Sequence, residues 1–400
     1  MARNISVGID IGTYQVKVVV TERDPNDADN LPRIIATGFA ESKGLRHGYI
    51  INSNDVMRSL KIALGQAEKT SGLKIRRAYL SIGGIGLMST QAYGDVIISK
   101  ADSEITRLDL DNALFNAEED LPKTATQNKK IIHTIPISYK IDGKLVFGNP
   151  LGMHGEKLEV KALFVSCTEH HLDDIITAVE ELGITVENVI ASPLSAAIVA
   201  TTKTQKIAGC VLANIGSETV SIVVFENNLP ISLEVFPIGG TDITNDIALG
   251  LKIPLEEAED LKIHHQATSE INYSRRKLEE IIIARLSDIF DLIDAHLKKI
   301  GRSGLLPAGI ILTGGGSGIA TIEELAKASL KLPSKIASLN FSDTQIKNGL
   351  VKDSSWLVAY GLCVAGSSRE SDLNYLGLQT IKDGNNFTKK LWLLIKKILP

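Results

Sequence analysis

The chain has 400 residues, 44% hydrophobic and 22% charged, with a formal net charge of -4. That length implies two or more domains, and the weakly acidic balance excludes a general nucleic-acid binder, which needs a broad basic field to release counterions. Three cysteines without C-x-x-C spacing suit a reducing compartment, the opening "MARNISVGIDIG" has no apolar signal core, and no uncharged apolar run reaches about 18 residues, so the chain reads as cytoplasmic and without a membrane span.

"GIDIGTYQVKVVV", residues 8–20, reads as two buried strands joined by a Gly turn, with one acid, Asp10, inside the apolar run. A third strand, "IIATGFAES", precedes a helix that starts near the caps Ser53 and Asn54 and buries Val56, Leu60, Leu64 and Ala67. The strand "RAYLSIG" follows. Residues 84–163 change character, combining "GDVIISK", an acidic helix "RLDLDNALFNAEEDL" and the strands "KIIHTIPISYKID" and "KLEVKALFVSC". They are expected to form a separate module. The first core resumes with the strand ending at Cys167 and the helix "TEHHLDDIITAVEELG", started by Thr168 and closed by Gly183.

The second half opens at about residue 205. Its "ANIGSETVSIVV", residues 213–224, repeats the first hairpin, with Ile11/Ile215, Gly12/Gly216, Val16/Val220, Val19/Val223 and Val20/Val224 in register. A repeat about half a chain apart is too long for a solenoid and implies two similar halves. A long amphipathic helix over 274–299 turns Leu278, Ile281, Ile282, Leu286, Ile289 and Ile293 inward. The strand "AGIILTGGG" comes next, and after about residue 368 the chain becomes a polar, turn-rich linker.

Three Gly turns abut apolar strands: "DIGT" at 10–13, "NIGSET" at 214–219 and "TGGGSG" at 313–318. Glycine lets the backbone turn tightly and aim N–H groups at an anion, and a neighbouring hydroxyl such as Thr13 or Ser217 adds a donor. Together the turns point to a phosphate site, which gives Asp10 a role as anionic partner of a hydrated Mg²⁺.

These segments resemble the actin-like ATPase superfamily. "GIDIGTYQVKVVV" and "LANIGSETVSIVVFE" are similar to its two phosphate motifs and "AGIILTGGGSGI" to its adenosine motif, while "ENVIASPLSAAIVA" and "WLVAYGLCVAG" fall where its connecting helices lie. Within it the chain resembles the FtsA family of bacterial cell-division proteins, through "SKGLRHGYI", "HTIPISYKID", "NPLGMHGEKLEVKALFVSC" and "FPIGGTDITNDIALGLKIPLEEAEDLKI". The resemblance implies an α/β actin-like ATPase fold, with two similar halves around a nucleotide cleft. Subdomain 1A would take 1–83 and 164–204, and an inserted FtsA-type subdomain 1C would take 84–163. The second half would run over 205–367, as 2A with 2B inserted at about 245–302 and a final helix returning to 1A. A linker, 368–386, and an amphipathic membrane-targeting helix, 387–400, would close the chain.

The resemblance further implies that Asp10, Gly12, Thr13, Tyr14, Gln15 and Lys17 serve the first phosphate turn of an ATP site. Asn214, Gly216, Ser217, Glu218 and Thr219 would serve the second, and Lys277, Gly314, Gly315, Gly316 and Ser317 complete the nucleotide set. Asp10 would hold Mg²⁺ through water. No catalytic residue is assigned, because Asn214 stands where the superfamily motif has an acid, and Ser217 and Glu218 replace two of its glycines. Losing one carboxylate and bringing another toward the phosphates implies ATP binding with weak or no hydrolysis. The resemblance also implies partners: the acidic C-terminal peptide of FtsZ on the 274–302 region through Arg285, Lys298 and Lys299, other copies of the chain in filaments, and further division proteins through subdomain 1C. Nucleic acid is not among them. The alternatives are a PilM-like pilus-assembly adaptor and, less favoured, a sugar-kinase-type phosphotransferase, for which no carboxylate base beside a polar pocket can be named.

The final stretch, "NNFTKKLWLLIKKILP", forms on a helix one apolar arc of Phe387, Leu391, Leu394, Ile395 and Ile398, widened by Trp392, with Lys389, Lys390, Lys396 and Lys397 on the other side. It is shorter than the roughly 20 residues that span a bilayer. It is therefore expected to lie in the headgroup plane of an anionic lipid surface, and the resemblance implies that this surface is the cytoplasmic side of the cell membrane at the division septum.

Overall fold

The computed structural model describes residues 4–24, 31–264, 274–338 and 353–368. The expected linker, apart from its first residue, and the expected membrane helix with Phe387, Lys389, Lys390, Leu391, Trp392, Leu394, Ile395, Lys396, Lys397 and Ile398 lie outside the described residues.

The first half begins with β1 (Asn4–Ile11), β2 (Gln15–Arg23) and β3 (Arg33–Glu41), followed by a small hairpin, β4 (Leu45–Arg46) and β5 (Tyr49–Ile50), helix α1 (Ser53–Ser71) and β6 (Arg77–Ile82). The β1–β2 hairpin is apolar on both faces because helices cover both. Val16, Val18 and Val20 join the core that includes Leu60 and Ala63 of α1, whereas Val19 faces the opposite side. The side chain that starts α1 is Asn52, which accepts from the Asp55 N–H, rather than Ser53 or Asn54.

The inserted module contains β7 (Met88–Ile97), α2 (Arg107–Glu119), the short α3 (Lys123–Thr126), β8 (Lys129–Ile141), β9 (Lys144–Val146) and β10 (Lys157–Thr168). Its antiparallel sheet runs β7-β10-β8-β9, and α2 packs on it closely enough that a Cβ on Gly94 would stand 2.2 Å from the Ala113 carbonyl. The chain then returns to the first half through α4 (Glu169–Glu180), β11 (Thr185–Ala191), α5 (Ser192–Ala200) and α6 (Lys203–Ala208). Thr168 precedes α4 but makes no capping bond; its hydroxyl pairs with the Tyr49 hydroxyl at 3.0 Å.

The second half contains β12 (Cys210–Ile215), β13 (Val220–Glu226), β14 (Leu229–Phe236), α7 (Gly240–Leu251), α8 (Leu255–His264), α9 (Arg275–Lys299), β15 (Ile310–Thr313), α10 (Ile322–Leu330), β16 (Ser334–Ile336) and α11 (Leu357–Ser367). Among the described residues its sheet runs β14-β13-β12-β15-β16, the same path as β3-β2-β1-β6-β11 in the first half. The repeated hairpins coincide pair by pair: Ile11 opposes Val16 and Asp10 opposes Lys17, as Ile215 opposes Val220 and Asn214 opposes Ser221. The two similar halves expected from the repeat are thus the observed architecture.

Helices α5 and α11 tie the halves together. A Cβ on Gly361 would stand 1.9 Å from the Ser195 carbonyl, and one on Gly8 would stand 2.2 Å from the Ala359 carbonyl, so α11 lies directly on both α5 and β1 with no room for a side chain between. The inserted module makes a second bridge. Ser89 of β7 bonds both the N–H and the carbonyl of Leu233 on the edge of the second sheet, each at 2.8 Å, and Gln91 donates to the Ile231 carbonyl at 2.7 Å. Side chains, rather than a continuous ladder, thereby occupy backbone polar groups on the edge strand β14.

Candidate functional site

The ends of β1, β6, β12 and β15 open into a cleft of about 590 Å³ lined from both halves. The two hairpin turns are built alike: Gly12 N–H donates to the Gln15 carbonyl at 3.1 Å, and Gly216 N–H donates to the Thr219 carbonyl at 2.9 Å. The third turn presses against the second. At Gly314 φ is +86°, and a Cβ would stand 2.4 Å from both the Asn214 Oδ1 and the Ile215 carbonyl; a Cβ on Gly316 would meet the Ile215 side chain at 2.5 Å. Gly315 has nothing within 4 Å of its Cβ position and lines the cleft.

Asp10 is partly buried at the cleft wall. Its Oδ1 accepts from the Ser81 hydroxyl at 2.6 Å, and burial raises its carboxyl above the ordinary range, opposed by Ser81 and by Lys17. The buried Lys17 donates to the carbonyl and hydroxyl of Ser355, at 3.0 and 2.8 Å, and lies 5.6 Å from the Trp356 ring centre. Burial lowers its ammonium pKa while Asp10 and Asp353 oppose the shift. The second half carries neutral groups at the corresponding places: Asn214 for Asp10, Ser221 for Lys17 and Thr313 beside Asn214 where Ser81 stands beside Asp10.

Of the expected residues, the structure gathers Asp10, Gly12, Thr13, Tyr14, Gln15, Lys17, Asn214, Gly216, Ser217, Thr219, Gly314, Gly315 and Gly316 around the cleft. Three are not among its lining residues. Ser317 is buried under its own turn, donating to the Gly314 carbonyl at 2.7 Å. Lys277 is exposed in the first turn of α9. Glu218 turns its carboxylate onto the backbone N–H of His47, so the expected negative charge at the phosphates is directed elsewhere.

The cleft also takes residues that sequence reasoning missed. Gly83 and Gly84 follow β6 as Gly314 and Gly315 follow β15, and the run "SIGGIG" was a readable signal of a fourth Gly turn. On the α7–α8 side, Lys262 Nζ donates to the Gly240 carbonyl at 3.1 Å, the Thr244 hydroxyl at 2.9 Å and Glu259 Oε2 at 2.6 Å. Their only signal was an i, i+3 pair on a helix, which is common on solvated surfaces.

On α9, Arg285 is already engaged: its Nε and Nη2 hold both oxygens of Asp246 at 2.7 and 3.1 Å, and Asp288 lies 3.2 Å from Nη1. Lys298 pairs with Asp294 at 2.7 Å yet keeps its side chain 69% exposed, and Lys299 is exposed.

The profile of the family described as "Cell division protein FtsA" matches residues 211–361, and that of the "SHS2 domain inserted in FTSA" matches residues 84–166. A Pseudomonas aeruginosa protein described as "Cell division protein FtsA" is 30% identical over 397 residues, covering 92% of this chain and 93% of its own length. Among solved structures, the PilM-PilN type IV pilus biogenesis complex aligns with TM-score 0.70 at 16% identity, covering 91% of this chain and 99% of its own. MreB5 of Spiroplasma citri bound to ADP aligns with TM-score 0.51 at 14% identity, covering 92% and 97%. These structural likenesses show the fold, an actin-like ATPase fold.

The contacts around the third turn separate two neighbouring glycines. Gly314→Ala forces a side chain into Asn214 and Ile215 at positive φ and should cost about 1–3 kcal/mol, lowering the melting temperature by several degrees. Gly315→Ala enters open space and should melt within about a degree of the native protein. Thermal denaturation followed by circular dichroism checks both; equal melting of the two variants would contradict the packing described.

Proposed function

The chain belongs to the FtsA family of cell-division proteins, and on that premise we propose that it binds Mg·ATP in the cleft, polymerises at the cytoplasmic face of the membrane and tethers FtsZ filaments of the division ring there. The observation that carries the nucleotide reading is the pair of equivalent Gly turns, one from each half, lining a single cleft. The residues suit such a ligand. Gly315 and Gly318 line the cleft with open space at their Cβ positions, leaving a bare backbone wall for a nucleoside, and the hydroxyls of Thr13 and Ser217 stand at the turns. Asp10 lines the cleft beside the first turn, where its carboxylate could act through water on Mg²⁺ carried by the phosphates. When bound, the nucleotide supplies a phosphoanion that both halves can grip.

The amide of Asn214, at the place that Asp10 holds in the first half, supports weak or absent turnover. Asn214→Asp should raise ATP hydrolysis in a phosphate-release assay; an unchanged rate in a folded, ATP-bound variant would show that the missing acid is not limiting.

The FtsZ reading rests on the family resemblance and on the basic end of α9. Because Arg285 already satisfies Asp246, Lys298 and Lys299 are the better candidates for an acidic peptide. A Lys298→Glu, Lys299→Glu double variant should weaken the FtsZ C-terminal peptide roughly three- to tenfold without changing nucleotide affinity, as measured by fluorescence anisotropy. Equal peptide affinity would move the site elsewhere. Other division proteins are assigned to the inserted module, where Phe147 is 89% exposed and Leu145, two residues before it, is half-exposed. The likeness to PilM is one of fold at 16% identity, so the pilus-adaptor alternative has less support.

No helix among the described residues is long and apolar enough to cross a membrane. Attachment is assigned to the lysine-flanked segment 387–400, whose apolar arc would insert and whose lysines would add about 1 kcal/mol each at an anionic surface. A chain ending at Asn385 should stay folded and fail to sediment with anionic vesicles. Full sedimentation of the shortened chain would remove this segment as the anchor.

A further inference from the structure

Glu218 and His47 make a contact across the cleft that the nucleotide reading does not use. His47 sits between β4 and β5 in the left-handed region, with φ of +48°, a conformation that costs a non-glycine residue about 1–2 kcal/mol. Its N–H donates to the Glu218 carboxylate, and its Nδ1 donates to the Glu218 carbonyl at 3.2 Å. One residue of the first half thus grips both the side chain and the backbone of the second half's Gly turn.

The hairpin carrying His47 has a firm footing. Gly48 and Gly84 approach so closely that a Cβ on Gly48 would stand 2.5 Å from the Gly84 Cα, and both line the cleft. Behind them the Tyr49 hydroxyl meets Thr168, and its ring stacks on His171 with centroids 4.5 Å apart. Thr168 ends the last strand of the inserted module. The hairpin is therefore held between the cleft rim and the base of that module, with His47 reaching over to the opposite half.

We propose that His47 and Glu218 form a clasp that keeps the second phosphate turn positioned and must open before nucleotide leaves, making both positioning residues for the cleft. This rests on the cleft being a nucleotide site. Two properties make the clasp suited to the role: it joins the halves next to Gly48, Ser217 and Thr219, which line the cleft, and it uses a carboxylate where a charge facing the phosphates would repel them. Turning that charge onto a backbone N–H converts it into a tether.

The test separates the clasp from simple charge repulsion, because the two predict opposite signs. In the full chain without nucleotide, Glu218→Ala should speed amide hydrogen exchange over residues 45–50, while Glu218→Gln, which keeps an acceptor oxygen, should exchange more slowly than Glu218→Ala. With a fluorescent ATP analogue, Glu218→Ala should release the ligand roughly five- to tenfold faster than the native chain, and Glu218→Gln should release it more slowly than Glu218→Ala. His47→Gly, which tolerates the positive φ but loses the ring contact, should fall between native and Glu218→Ala and serves if the latter fails to fold. Unchanged exchange over 45–50 overturns the clasp. Release that is unchanged or slower in Glu218→Ala overturns its control of the nucleotide. Absence of analogue binding by the native chain overturns the nucleotide reading instead, and the exchange arm still judges the clasp.

Discussion

The cleft depends on backbone approaching backbone where four strand ends meet. Gly314 stands against Asn214 and Ile215 with no space for a methyl group, and Gly216 and Gly12 close equivalent turns through the same N–H to carbonyl bond. A side chain at Gly314 would push the third turn away from the second, and a phosphate site needs such backbone donors held closely in place. The surrounding sheets are built to resist such a shift: β12 and β13 are almost wholly buried and β1 and β2 are buried along their centres, with helices packed on both faces.

Those helices also join the halves. α5 and α11 cross with Gly361 against Ser195, and α11 in turn lies on β1 at Gly8, so the halves share a tightly packed junction, which also holds a buried hydrogen bond from the Ser195 hydroxyl to the Val358 carbonyl at 2.8 Å. Further polar contacts lie at other junctions: His47 with Glu218 beside the cleft, and Ser89 and Gln91 of the inserted module with the edge of β14. These part-buried polar contacts link the first half at the cleft, and the inserted module, to the second half.

Much of this was legible in the chain. The in-register repeat of Ile, Gly and Val between residues 8–20 and 213–224 announces two similar halves, since apolar strands and Gly turns are local features. What was not legible depends on contacts distant in sequence. Arg285 reads as a free cation on a helix face until Asp246, on α7, accepts from its Nε and Nη2. Thr168 reads as a cap until Tyr49 claims its hydroxyl. Glu218 reads as a charge beside phosphates until a backbone N–H in the other half turns it aside. Each is a polar group with several possible partners, and only the tertiary structure selects among them.

The functional account joins these parts: a cleft that both halves can close on a nucleotide, a basic end of α9 for an acidic peptide, an inserted module with exposed apolar side chains, and a lysine-flanked terminal segment. Each membrane contact would be modest alone, and assembly into filaments would raise avidity without new contacts. The direct measurement is fluorescence imaging of labelled FtsZ filaments on supported anionic bilayers with the full-length chain and ATP. The account predicts that FtsZ gathers on the bilayer when the chain and ATP are present and stays in solution without the chain. FtsZ remaining in solution above a bilayer that the chain itself coats would contradict it.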